Sequence, residues 1–181
     1  MQEKPIFSDT DCLSCFIMID RTDILQELYE YITIPEYVYN EFLKAPKDIL
    51  ERVEYMMEID FLKVKDIETY EEYKVYLKFK RNIYTKKPIG NGEASAMALA
   101  KIYDGIIASN NSKDVILTVQ VEGIPWIKTG DILEEAIDSK IITLKDGNKL
   151  WKEMLNKGRY LGKYKTLTEY LENKYKNFRR Y

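Results

Sequence analysis

A chain of 181 residues that is 45% hydrophobic and 32% charged can bury a core and is too apolar to be disordered. No apolar run approaches the ~20 residues of a membrane span, and Met1-Gln2-Glu3-Lys4-Pro5 lacks a charged-then-apolar leader, so a cytoplasmic protein is expected. The net charge of −2 conceals an asymmetry: residues 145–181 hold 11 Lys+Arg against 4 Asp+Glu, and the rest hold 17 against 26. A basic end on an acidic body suits a nucleic-acid or acidic partner, and equally a solvated lysine-rich helix.

In chain order, Ile6-Phe7-Ser8 reads as a first strand ending at Asp9. Thr10 or Asp11 then caps a helix carrying the apolar run Cys12 to Ile19. Ile24, Leu25, Leu28, Tyr29 and Ile32 recur at helical spacing. Ile32-Thr33-Ile34 is a brief strand, and Pro35 opens a helix whose Val38, Phe42 and Leu43 face inward. Ile49, Val53, Met56 and Met57 mark the next helix, Phe61–Val64 a strand, and Tyr70, Tyr73 and Leu77 a more polar helix. Gly90-Asn91-Gly92 is a turn, since no Gly-Lys-Ser/Thr or third glycine follows to complete a phosphate loop. The helix after it carries Ala94, Ser95, Ala96, Ala98 and Ala100, small enough to lie close against a sheet. A strand at Ile106–Ala108, a helix near Asp114–Val121, a strand at Pro125–Lys128 and a helix from Asp131 to Asp138 follow. Asp146–Asn156 and Thr166–Asn177 form the last two helices. Short strands alternating with helices predict an α/β fold with a parallel sheet. The division expected is a main domain over 1–145 and a basic helical extension over 146–181.

Histidine is absent, which removes Ser-His and Cys-His nucleophilic mechanisms. Cys12 and Cys15 have no further Cys or His with which to complete a zinc site, and they read as buried thiols. Carboxylates must then carry any chemistry. Asp9 follows the first strand, Glu41 lies on the helix after the second, and Glu93 opens the small-residue helix. Elements at the carboxyl ends of parallel strands converge on one edge, where three acids would make an all-oxygen pocket suited to Mg²⁺ or Mn²⁺. Among 30 acidic residues the same three can also be separate caps or surface charges.

The blocks FSDTDCL, ITIPEYVYNEF, IGNGEASAMALAK, GIIASNN and GIPWIKTGDIL, in this order over residues 6 to 138, resemble a PIN domain. That is the small α/β nuclease fold of VapC-type toxins and RNA-processing nucleases. The resemblance implies a three-layer α/β/α fold with a short central parallel sheet and added C-terminal helices. It implies a Mg²⁺- or Mn²⁺-dependent endoribonuclease, as a toxin or defence element, with RNA as substrate, an antitoxin as partner and a homodimer as a common state. On this pattern Asp9, Glu41 and Glu93 are catalytic, with Asp9 and Glu93 holding the metal and Glu41 positioning it or the water. Many relatives carry an acid pair after the fourth strand, where this chain has Asn110-Asn111. Asn110 is then a neutral ligand or a phosphate contact, Asp114 a partial substitute, and Thr10 and Asn111 stand on the substrate side. Asp131 reads as a helix cap or a further acid, and Asp11 as a cap or an added charge near the site. The same substitution supports an alternative, a catalytically impaired PIN-fold module that binds RNA or a partner. Its basic tail would offer Tyr160, Tyr164, Tyr170, Tyr175 and Phe178 for stacking.

Overall fold

The computed structural model describes residues 4–84 and 87–178, with backbone alone at 112–114 and 177–178. The chain runs β1 (Ile6–Ser8), α1 (Thr10–Ile17), α2 (Thr22–Leu28), β2 (Ile32–Pro35), α3 (Glu36–Phe42), α4 (Lys47–Glu58), β3 (Leu62–Lys65) and α5 (Tyr70–Arg81). It continues with α6 (Asn91–Ile102), β4 (Ile106–Ala108), α7 (Ser112–Glu122), β5 (Trp126–Ile127), α8 (Thr129–Asp138), α9 (Leu144–Asn156) and α10 (Leu167–Phe178). The five strands form one sheet in the order β3-β2-β1-β4-β5, every neighbouring pair parallel. Among the described residues no helix is long and apolar enough to cross a membrane.

Alternation along the strands splits the core in two. Ile6 and Ala108 join Leu13, Phe16, Leu25, Phe42, Met56 and Leu133 on one face of the sheet. Phe7 and Ile107 join Phe79, Met97, Leu99 and Val115 on the other. Side chains of successive strand residues point to opposite faces, so a three-residue strand with no polar position until its end must be covered on both sides. The result is the expected α/β/α layering. The small residues of α6 do what their size allows: Ala94, Ser95, Ala96, Ala98 and Ala100 are all buried. From the chain's last quarter, Leu150, Trp151, Met154, Leu161, Leu167 and Tyr170 enter the first core. Gly130 permits this docking, because a Cβ there would stand 2.4 Å from the Tyr170 ring.

Local readings are corrected in four places. Neither Thr10 nor Asp11 caps α1; Asp9 does, accepting the Cys12 N–H at 2.8 Å. Pro35 closes β2 and precedes the first helical residue, since its fixed φ is served by an extended residue before α3. Leu43 is exposed, one position past the buried stripe of Val38 and Phe42. In α5 the buried face is Glu72, Tyr76 and Phe79, with Tyr70 and Tyr73 outside. A buried carboxylate broke the apolar period and shifted the face that was read.

Glu72 is nonetheless well held. It accepts the N–H groups of Glu68 and Thr69 at 2.7 and 2.8 Å and the Tyr103 hydroxyl at 2.6 Å, with Lys65 at 3.6 Å. Burial pushes its carboxyl up, but the Tyr103 hydroxyl, the two N–H groups and Lys65 outweigh it and bring the pKa down to about 2. A carboxyl more acidic in the folded than in the unfolded chain adds stability that is present at neutral pH. That stability is lost as pH falls from the ordinary carboxylate range through about 2. Glu72→Gln is therefore expected to cost about 1–3 kcal/mol at pH 7, by urea unfolding, with a difference from wild type that shrinks on acidification.

Candidate functional site

The strand order reverses between β1 and β4: the chain moves from β1 outward to β2 and β3, then returns to β4 on the other side. Crevices at such switch points, beyond the carboxyl ends of the strands, are where open α/β sheets bind ligands. Pairing of Ser8 with Ala108, extended by the Asp9 N–H to the Ala108 carbonyl at 3.0 Å, sets Asp9 beside Ser109 there. A cleft of about 250 Å³ opens at this point, lined by Asp9, Thr10, Asp11, Glu41, Gly92 and Glu93, with Gly90 at its rim.

Each acid reaches the cleft by a different route. Asp9 is 2% exposed; one oxygen caps α1, while Oδ2 is buried and accepts no hydrogen bond. Burial pushes its pKa up to about 7, with the negative charges of Asp11 and Glu93 adding to the rise and the Ser109 hydroxyl and Cys12 N–H opposing it. Glu41 arrives from α3 because α6 packs closely on that helix: a Cβ on Gly92 would lie 3.0 Å from Val38 and 3.3 Å from the Glu41 carboxylate. Glu41 accepts the Thr10 hydroxyl. Glu93, in the first turn of α6, accepts the Asn111 side-chain amide at 2.6 Å. The sequence thus placed all three acids at one cleft. Asp11 lines the rim and stands 3.9 Å from the Arg159 guanidinium.

The two asparagines part company. Asn111 turns to Glu93, whereas Asn110 turns away from the acids and is 7% exposed. Its Oδ1 accepts the Thr129 N–H at 3.0 Å, and its Nδ2 donates to the Thr129 hydroxyl at 2.9 Å and the Cys15 sulfur at 3.3 Å. Asn110 is a clamp between the end of β4 and the start of α8, and the structure does not bring it to the acid cleft. The Asp114 side chain lies outside the described residues. Asp131 serves as a cap, accepting the Lys128 N–H at 2.9 Å, and is further tied to Lys174 at 2.7 Å and the Tyr170 hydroxyl at 2.9 Å. Cys12 and Cys15 are buried free thiols, as read from the sequence. Burial pushes Cys12 well up and Cys15 to about 11, so neither offers a thiolate at neutral pH.

Does this donor set fit a hard divalent cation? The ligands are oxygen, and a buried carboxylate oxygen without a hydrogen-bond donor is costly until a cation or proton meets it. Asp9 Oδ2 is such an oxygen. Against that, Glu41 is turned to Thr10 and Glu93 to Asn111. Among the described residues no three Cys, His, Asp or Glu side chains converge on one point. The set fits in kind, with two carboxylates that must turn from their present partners. The Thr10–Glu41 and Asn111–Glu93 contacts were not foreseen, because each joins residues distant in sequence and no local pattern marks them.

Comparison with known proteins bears on the fold. A family model described as PIN domain matches residues 5–173. A chain of the VapBC2 structure from Rickettsia felis, solved bound to a DNA fragment from the promoter, is 16% identical. It aligns over 68% of this chain and 97% of its own, with a TM-score of 0.50. A chain of VapBC-1 from nontypeable Haemophilus influenzae is 15% identical over 68% and 97%, with a TM-score of 0.51. No curated protein matches significantly.

Two outcomes follow from the site's electrostatics. A carboxyl less acidic in the folded chain favours folding at low pH and loses that contribution as pH rises from its unfolded value through about 7. Without metal, Asp9→Asn should therefore raise stability by ~2 kcal/mol at pH 8, with the gain fading toward pH 4 in thermal melts. Asn110→Asp should cost about 1–3 kcal/mol in urea unfolding, because it buries a charge and removes the donor to Thr129.

Proposed function

On the premise that this chain belongs to the PIN-domain family, we propose that it is a metal-dependent endoribonuclease that acts as the toxin of a toxin–antitoxin pair. The observation that carries the nuclease reading is the cleft at the β1/β4 switch point, which Asp9, Glu41 and Glu93 all line and where Asp9 keeps one buried oxygen without a hydrogen bond. The toxin role and an antitoxin partner are supported by the likeness of fold to chains of two VapBC structures.

Asp9 and Glu93 would hold a Mg²⁺ or Mn²⁺ ion. Such an ion supplies Lewis-acid polarisation of a phosphate and lowers the pKa of a bound water. The chain's own groups have separate tasks. Asp9 is fixed by its cap to Cys12 N–H and shares the low-dielectric floor of the cleft. Asn111 donates its side-chain amide to Glu93 and so fixes that carboxylate beside the cleft. Glu41 is exposed, so it can meet solvent on the open side and orient an attacking water or take its proton. The Thr10 hydroxyl holds the Glu41 carboxylate in position for that work.

A second reading, a PIN fold that binds RNA without cutting it, is favoured by one observation. Glu41 accepts the Thr10 hydroxyl and Glu93 the Asn111 amide, and no three-acid cluster forms among the described residues.

Manganese separates the two readings. Wild type is expected to cleave single-stranded RNA with Mn²⁺ and to melt at higher temperature as Mn²⁺ is added. Asp9→Asn should lose at least about a hundredfold in cleavage rate (on the order of 3 kcal/mol of barrier) and its Mn²⁺-induced shift in melting. Equal cleavage by both forms would remove Asp9 from the mechanism, and binding without cleavage by wild type would establish the second reading.

A further inference from the structure

We propose that a second cleft, beside the acids and walled by the segment after α9, is a subsite for a neighbouring nucleotide of the RNA strand. The inference rests on the nuclease reading only for the identity of the ligand.

The cleft has a volume of about 250 Å³ and includes Asn110, Lys128, Tyr160, Lys163, Tyr164 and Tyr170 in its lining. Among the five aromatic residues read as stacking surfaces, two are fixed into its wall. Tyr170 donates to Asp131 at 2.9 Å, and Tyr164 donates to Asn173 at 2.8 Å while meeting the Tyr170 ring edge-on at 5.4 Å. Tyr175 donates to Glu134 and does not line the cleft, and the Phe178 side chain lies outside the described residues. Tyr160 alone among the lining tyrosines is 72% exposed, and it has no hydrogen-bond partner among the described residues. Its ring is a bare face at the mouth of the cleft.

The charge is as suggestive as the ring. Lys128 and Lys163 form no ion pair among the described residues, and no carboxylate lines the cleft. Lys128 is half-buried, its ammonium 4.3 Å from the centre of the Trp126 ring, and burial draws its pKa below the usual lysine value. A desolvated cation of this kind is stabilised by an incoming anion. The nearest acid, Asp131, is already paired with Lys174. Asn110, on the floor, spends its amide on Thr129 and Cys15. What is left for a ligand is two ammonium groups and one flat ring, the complement of a phosphate joined to a base.

Continuity with the acid cleft makes that ligand part of a polymer. Asn110 and Asn111 are consecutive, their Cα atoms about 3.8 Å apart, yet Asn110 lines the second cleft and Asn111 bonds Glu93 in the first. Arg159, next to Tyr160, reaches Asp11 on the rim of the acid cleft. A strand with one phosphodiester at the acids would therefore present its next nucleotide to Lys128, Lys163 and Tyr160.

The test is binding of a fluorescein-labelled oligouridylate to the full chain in EDTA, where metal-dependent cleavage is silent, read by fluorescence anisotropy. Tyr160→Ala should weaken binding roughly tenfold while Tyr160→Phe binds as wild type. Lys128→Gln and Lys163→Gln should each flatten the plot of log affinity against log salt by roughly 0.7. Unchanged affinity and slope in the Ala and Gln variants, or a wild type that does not bind the oligonucleotide, would overturn the subsite. Manganese-dependent cleavage is scored apart. Asp9-dependent cutting with unaltered binding by these variants removes the subsite alone, and weakened binding in a chain that never cuts removes the nuclease reading alone.

Discussion

Three parallel residue pairs between β1 and β4 hold the rest of this molecule in place. Ile6, Phe7 and Ser8 lie against Ile106, Ile107 and Ala108, and the ladder runs on through the Asp9 N–H. Because side chains alternate along a strand, a slip of one residue would exchange the contents of the two cores and turn Ser8 and Asp9 inside out. The apolar pairs therefore fix more than the sheet. They decide that a carboxylate and the Ser109-Asn110-Asn111 turn arrive together at the switch point.

From that point outward, close packing does the positioning. Gly92 lets α6 approach α3 nearly to contact, which brings Glu41 and Glu93 to one cleft. A larger residue at 92 would part the two helices and with them the two acids. On the other flank Asn110 ties β4 to α8, and Gly130 seats the Tyr170 ring on that same helix. The C-terminal helices thereby deliver Arg159 and Tyr160 to the edge of the site from about 150 residues away in sequence. Asp9 shows the cost of the arrangement. A buried oxygen without a donor and a pKa near 7 are unfavourable for folding, and such strain is commonly tolerated where a ligand relieves it.

The order of elements, the parallel sheet and the three acids were legible in the sequence because each leaves a local mark. Short, mostly apolar runs punctuated by polar turns, an alanine-rich helix and an acid at a strand end are all readable within a few neighbours. Polarity patterns alone misplaced the buried face of α5, because Glu72 is satisfied by Tyr103, which only tertiary packing brings near. The cap of α1 was assigned one or two residues late for a related reason. Asp9 was read for its chemistry, and its side chain also serves the helix.

The amide pair shows where local reading ends. Sequence alone determined that Asn110 and Asn111 follow the fourth strand and that each lacks the charge of an acid. It could not determine which of them meets the acids, since consecutive side chains leave a turn in different directions and only the packed neighbours choose. Tertiary structure assigned Asn111 to Glu93 and Asn110 to Thr129. It also decided that Lys128, and Lys163 and Tyr160 of the basic end, stand beside the site with no ion pair or side-chain hydrogen bond among the described residues. Those outcomes depend on hydrogen bonds and van der Waals contacts between residues far apart in the chain, and such contacts exist only once the chain has folded.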